Sequence, residues 1–175
     1  MKEYTFNLLL VTIIICLSIG TIAAQQKTIS FETDEGTWMA LDVSPDGNTI
    51  NFELLGDIYN LPIQGGTAKP LIDGNAFQSQ PRFSPDGKNI VFISDESGAD
   101  NVWIADLDGK NTRQITDFNQ ELLVSPEWSK DGKAILATVI TDGLQRSANL
   151  YRFDISTKQK TLLVKNTNGL SLIHI

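Results

Sequence analysis

The residue types that perform chemistry are thinly spread in this chain of 175 residues. It holds one histidine, His174, and one cysteine, Cys16. His174 is next to last, so no histidine cluster can gather a catalytic metal. A Gly-x-Ser-x-Gly elbow, a phosphate-cradling glycine loop and a Cys/His pair are also absent. No catalytic, cofactor-binding or metal-ligating residue is therefore assigned. What recurs is an aspartate: Asp46, Asp86 and Asp131 each sit in a Ser-x-Asp-Gly tetrapeptide beginning at Ser44, Ser84 and Ser129. Three carboxylates suggest acid/base or metal chemistry, but each belongs to a separate unit and stands where a hairpin needs it. Pro45 or Pro85 pre-sets the first corner, the aspartate bonds local N–H groups, and the glycine accepts the left-handed conformation. Lys130 replaces the proline in the third copy, which loses some pre-organisation without losing the turn. A second acidic group, Asp95, Glu96 and Asp100, offers oxygen ligands to calcium. Ser97 and Gly98 between them mark it instead as a surface loop.

The elements that position these turns repeat. An apolar, β-rich run follows each turn: Thr49 to Leu54, Asn89 to Ser94, and Ala134 to Ile140. A second run follows at Asp57 to Pro62, Asn101 to Asp106 and Asn149 to Asp154, and a third at Ala68 to Ile72, Thr112 to Thr116 and Gln159 to Val164. With the segment before each serine this makes four strands per unit of about 40 to 45 residues, the period of a propeller blade. The expected fold class is all-β, with about three four-stranded antiparallel blades. Ile90-Val91-Phe92-Ile93 is apolar on both faces, as suits a strand packed between neighbouring sheets. Phe83, Trp128, Trp103 and Tyr151 recur at blade positions expected to pack between blades. Two places before each serine stand Asp42, Arg82 and Glu127. Their alternating sign predicts that Arg82 bridges the blades on either side.

Composition narrows the setting. Hydrophobic residues make up 41% and charged residues 20%, which argues against disorder and against a polytopic membrane protein. The formal net charge of -7 leaves no basic footprint for nucleic acid or an anionic membrane surface. Residues 1–24 read as a signal peptide: Lys2, an apolar stretch from Phe6 to Ile19, then Ala23-Ala24 before a polar segment. The expected location is periplasmic or extracellular, with no membrane span after cleavage. Cys16 would leave with the signal, so the mature chain would hold neither disulfides nor thiol chemistry.

The run Pro81-Arg82-Phe83-Ser84-Pro85-Asp86-Gly87-Lys88-Asn89-Ile90-Val91-Phe92, with Ser94 to Gly98, Asn101-Val102-Trp103 and Arg113-Gln114-Ile115-Thr116, resembles the WD40-like repeat of TolB-type propellers. TolB, tricorn-like proteases, prolyl-oligopeptidase-like peptidases and secreted amidohydrolases share it. The opening Ile29 to Trp38, with Leu41 to Gly47 and Leu55 to Tyr59, is most similar to the N-terminal propeller of the amidohydrolase group. That resemblance implies a divalent metal held in a separate catalytic barrel, and none of its ligands maps onto this chain.

The expected organisation is a signal peptide (1–24), an N-terminal strand that could help close a ring (25–36, with Thr28 to Glu32 alternating), a partial propeller (37–168) and a non-repeat tail (169–175). Three blades fall short of the roughly 4 to 8 that close a propeller. The chain therefore reads as a fragment whose partners are further blades and a catalytic domain, with an artefactual end, although association with further copies would also complete a ring. The leading expectation is the scaffolding or gating part of a metal-dependent amidohydrolase, itself inert. The alternatives are an envelope protein-interaction propeller of the TolB kind and the propeller of a serine peptidase.

Overall fold

The computed structural model describes residues 36, 39–141 and 147–165. The expected signal peptide, the strand at Thr28 to Glu32 and the tail at 169–175 lie outside them. The described residues contain twelve strands, and no helix among them is long and apolar enough to cross a membrane. The first blade holds β1 (Leu41–Val43), β2 (Thr49–Leu54), β3 (Asp57–Pro62) and β4 (Lys69–Ile72). The second holds β5 (Gln78–Phe83), β6 (Asn89–Ser94), β7 (Asn101–Asp106) and β8 (Arg113–Gln114). The third holds β9 (Leu122–Trp128), β10 (Ala134–Thr141), β11 (Ser147–Asp154) and β12 (Lys160–Val164). Each forms its own four-stranded antiparallel sheet in chain order.

The three Ser-x-Asp-Gly segments fold alike. Each serine hydroxyl donates to the aspartate carboxylate, at 2.5 Å from Ser44, 2.7 Å from Ser84 and 2.6 Å from Ser129. Each glycine N–H returns to its serine carbonyl at 2.8 Å. Gly47, Gly87 and Gly132 have φ of 72, 66 and 67°, the left-handed region that a side chain resists. Lys130 leaves this geometry intact, because φ at that corner needs only to be allowed, not fixed by a ring. The aspartates are thus committed to turns.

These hydrogen bonds, the serine hydroxyl first, hold the carboxyls of Asp46, Asp86 and Asp131 below the usual 3.8. An acidity greater in the folded state means that the unfolded chain binds protons first as pH falls, so the contribution is complete above 3.8 and lost below it. The contribution of these three turns to the urea midpoint should therefore hold steady at pH values above the ordinary aspartate range and fall beneath it. Asp131→Asn should flatten that acid limb in the same titration.

Packing is strongest around the middle blade. All of β6 except Asn89 is buried. Val91 and Ile93 join Val102, Ile104, Ile135, Ala137, Val139 and Phe153 in a core shared with the third blade. The alternate residues Ile90 and Phe92 join Ile58, Phe83 and Ala105 in a core shared with the first. Alternation along a strand produces this division, since successive side chains point to opposite faces. Trp103 lies against the core shared with the first blade, and Trp128 and Tyr151 against the core shared with the third, the packing roles expected of them.

The fourth strands begin and end later or earlier than the apolar runs suggest. The largest difference is β8, which pairs only over Arg113–Gln114 rather than Thr112 to Thr116. Beyond it Ile115 N–H still reaches Val102 O at 2.8 Å. At Thr116 the hydroxyl, not the backbone, takes the Val102 N–H at 2.9 Å and ends the ladder.

Candidate functional site

The first strands of the three blades lie against one another, β1 on β5 and β5 on β9. They carry the polar groups that join the blades. Gln80 and Ser125, each immediately before a proline, have φ of 55°, unusual for residues with side chains and more so before proline. Both coincide with register shifts in their sheets. A bulge of this kind turns a backbone N–H out of its own ladder, and each is caught by the preceding blade. Gln80 N–H donates to the Glu53 carboxylate. Ser125 N–H donates to Oε1 of Gln80 at 2.7 Å. Gln80 is both received by the first blade and receiver for the third.

A second set of contacts lies two residues further on. Arg82 Nε donates to Glu127 Oε1 at 2.9 Å, and its Nη1 donates to the Leu41 carbonyl at 3.2 Å. Trp128 Nε1 donates to the Arg82 carbonyl at 3.2 Å. The predicted bridge from Arg82 to both neighbours therefore exists, with one correction. On the first-blade side Arg82 meets the Leu41 carbonyl, while the Asp42 carboxylate accepts from Phe83 N–H at 2.8 Å. The edge of β5 offers that backbone donor, so the carboxylate is engaged without a cation.

Arg82 and Glu127 are partly exposed, at 25% and 33%. Water screens such a pair, but the carbonyl contact adds to it. Arg82→Met should lower unfolding free energy by about 1–2 kcal/mol. A double-mutant cycle with Glu127→Gln in urea should show part of that loss as coupling between the two side chains.

Each third strand carries a polar residue two places before its aromatic one: Asp57 and Asn101, which open β3 and β7, and Asn149, the third residue of β11. Asn101, buried, donates from Nδ2 to Ser97 Oγ, Ala99 O and Phe118 O at 3.0–3.1 Å. Its Oδ1 accepts from Thr116 Oγ1 and Phe118 N–H, both at 2.8 Å. Asp57 takes the Gly74 backbone N–H, but burial, and secondarily Asp73, pushes its carboxyl above the usual range. This role escaped the sequence because the distance from the serine varies between blades; the fixed signal is an aromatic residue two places on, Tyr59, Trp103 and Tyr151.

The acidic loop binds within the protein. Asp95 Oδ1 accepts from Phe77 N–H at 2.7 Å, and burial, then Asp95, raises the Asp100 carboxyl. Among the described residues no three carboxylate, histidine or cysteine side chains are grouped to hold a metal ion.

Four-stranded antiparallel blades, joined first strand to first strand and each opened by a serine-aspartate turn, define a β-propeller of the TolB-like class. The chain belongs to the family of the tricorn protease N-terminal beta propeller domain, which matches residues 27–173. It is 39% identical over 84 residues to the Uncharacterized peptidase YuxL of Bacillus subtilis (strain 168), covering 47% of this chain and 13% of that protein. It is 29% identical over 104 residues to Tricorn protease homolog 1 of Streptomyces coelicolor, covering 59% of this chain and 10% of that one. Among solved structures, a putative TolB from Agrobacterium tumefaciens superposes with a TM-score of 0.62 at 24% identity, over 70% of this chain and 47% of that chain. TolB from Acinetobacter baumannii gives a TM-score of 0.56 at 23% identity, over 72% and 32%. The chain thus spans less than half the length of each of these proteins.

Proposed function

We propose that this chain is the propeller portion of an exported hydrolase, which scaffolds and restricts access to a catalytic unit lying outside these residues. The observation that carries this reading is the commitment of the recurring polar residues. Asp46, Asp86 and Asp131 hold turns, and Asp42, Glu53, Gln80, Arg82 and Glu127 hold blade to blade. Groups engaged this way serve position rather than bond-making. Within that reading the opening segment Ile29 to Trp38 favours a metal-dependent amidohydrolase, with divalent metal held by the catalytic unit. The names of two relatives, one a peptidase and one a protease homolog, favour a peptidase as the second reading, and the resemblance of the repeat to prolyl-oligopeptidase-like propellers makes it a serine peptidase. Export rests on the N-terminal apolar stretch before Ala23-Ala24.

The uninterrupted reading frame, expressed in full, separates these. Chelator-sensitive hydrolysis of amide substrates with no labelling by a fluorophosphonate supports the amidohydrolase. Fluorophosphonate labelling that chelators leave untouched supports the peptidase. A full-length product inert in both assays overturns the hydrolase reading and leaves an envelope-docking propeller.

A further inference from the structure

The two joints between blades differ in what they bury. Among the described residues, ten buried apolar side chains form the core shared by the second and third blades, and only five form the core shared by the first and second. The polar groups divide the same way. Four buried side-chain atoms among the described residues have no hydrogen-bond partner, Asn51 Nδ2 and Oδ1, Gln78 Oε1 and Trp103 Nε1, and all four lie at the first joint. Asn51 stands opposite Asp42 and Asn60 in its own sheet, so it faces the second blade as Asp42 does. Gln78 reaches the first blade through its N–H, which donates to the Gly56 carbonyl at 2.7 Å, and Trp103 packs on the core of Ile90 and Phe92. At the second joint the comparable groups are met: Trp128 Nε1 by the Arg82 carbonyl, Gln80 Oε1 by Ser125 N–H.

A buried polar atom without a partner is unfavourable. These four are covered on every side, so no water-sized space adjoins them, and only separation of the blades lets water reach them. Hollows already flank the joint, one of about 660 Å³ beside the β4–β5 connection and the β6–β7 loop, another of about 210 Å³ between the β1–β2 and β5–β6 turns. The backbone N–H groups that cross it, from Gln78, Gln80 and Phe83, can all be taken up by water without breaking either sheet's own ladder. We propose that the first joint is a seam: the first blade swings away from the second as an intact sheet, while the second and third stay one body. Where the propeller restricts access, the seam is the entrance; that consequence rests on the proposed function, and the seam itself does not.

Native-state hydrogen exchange of the full chain, read amide by amide by NMR, tests this. Gln80 and Ser125 form a matched pair, with the same φ of 55°, a following proline and an N–H caught by a side chain of the preceding blade. After correction for intrinsic rates, Gln80 N–H should exchange about tenfold or more faster than Ser125 N–H, with a weaker dependence on added urea than the amides of β6. Asn51→Leu removes two unmet atoms at nearly constant volume, and it should slow Gln80 exchange about tenfold while leaving Ser125 unchanged. Gln78→Met removes one such atom and should slow it several-fold, so it decides the matter should Asn51→Leu fail to fold. Equal rates at Gln80 and Ser125, or a urea dependence at Gln80 as steep as that of β6, overturn the seam. Unchanged or faster exchange at Gln80 in either folded variant also overturns it, because the buried groups would then be met in solution.

Discussion

Asn101→Leu should destabilise the chain by about 4 kcal/mol, among the largest losses any single substitution here can produce. Leucine preserves volume and burial while removing all five hydrogen bonds that the amide makes. The Thr116 hydroxyl would lose its partner in the buried interior and the Phe118 N–H and carbonyl theirs in a half-buried segment, the buried loss at about 1–3 kcal/mol before relaxation and the others less. The segment after β8 is tied to β7 by this amide, so its loss should also expose the Ile115 to Phe118 stretch to proteolysis. Urea denaturation followed by tryptophan fluorescence measures the first effect, with Trp103 two residues away as reporter. The corresponding change in the first blade should go the other way. Burial disfavours the Asp57 carboxylate, so the charged form opposes folding at neutral pH. Asp57→Asn retains an acceptor for Gly74 N–H and removes that charge, and the urea midpoint should rise or hold.

Gly109→Ala carries the second large effect. Gly109 has φ of 75°, and a Cβ there would stand 2.0 Å from the Leu71 carbonyl oxygen of the neighbouring blade. That obstacle is backbone, so the two blades must separate for the methyl to fit. Gly132 provides the control, with φ of 67° and nothing within 4 Å of its Cβ position. Gly132→Ala should cost about 1 kcal/mol from the left-handed conformation alone. Gly109→Ala adds overpacking of about 1–3 kcal/mol and should loosen the joint between the first two blades. Thermal unfolding of the pair isolates the steric part, and faster cleavage between β4 and β5 would localise it.

The blades were legible because their signals are local. The continuous apolar run from Ile90 to Ile93 and a glycine after an aspartate each act within a few residues, and the observed β6 matches the expected run end to end. The joints were legible only in part. Side-chain charge at equivalent positions pointed to Arg82 and Glu127, but Asp42 binds the Phe83 backbone N–H, and every non-proline residue has such a donor. Which one a fold leaves unpaired depends on the bulges at Gln80 and Ser125, set by tertiary context. A trace existed, a residue with a polar side chain before proline four places ahead of the serine in two units.

The captured bulge has a bearing on how such proteins change over time. Gln80 offers its N–H backward and its amide oxygen forward, so a tandem duplication beginning and ending at equivalent bulges would splice without redesign. Nothing in either hydrogen bond counts how many units stand in the row. The tally must be kept elsewhere, in the angle between successive sheets and in whatever seals the two ends. Recombination within a blade, by contrast, would separate a donor from its acceptor at both neighbours at once.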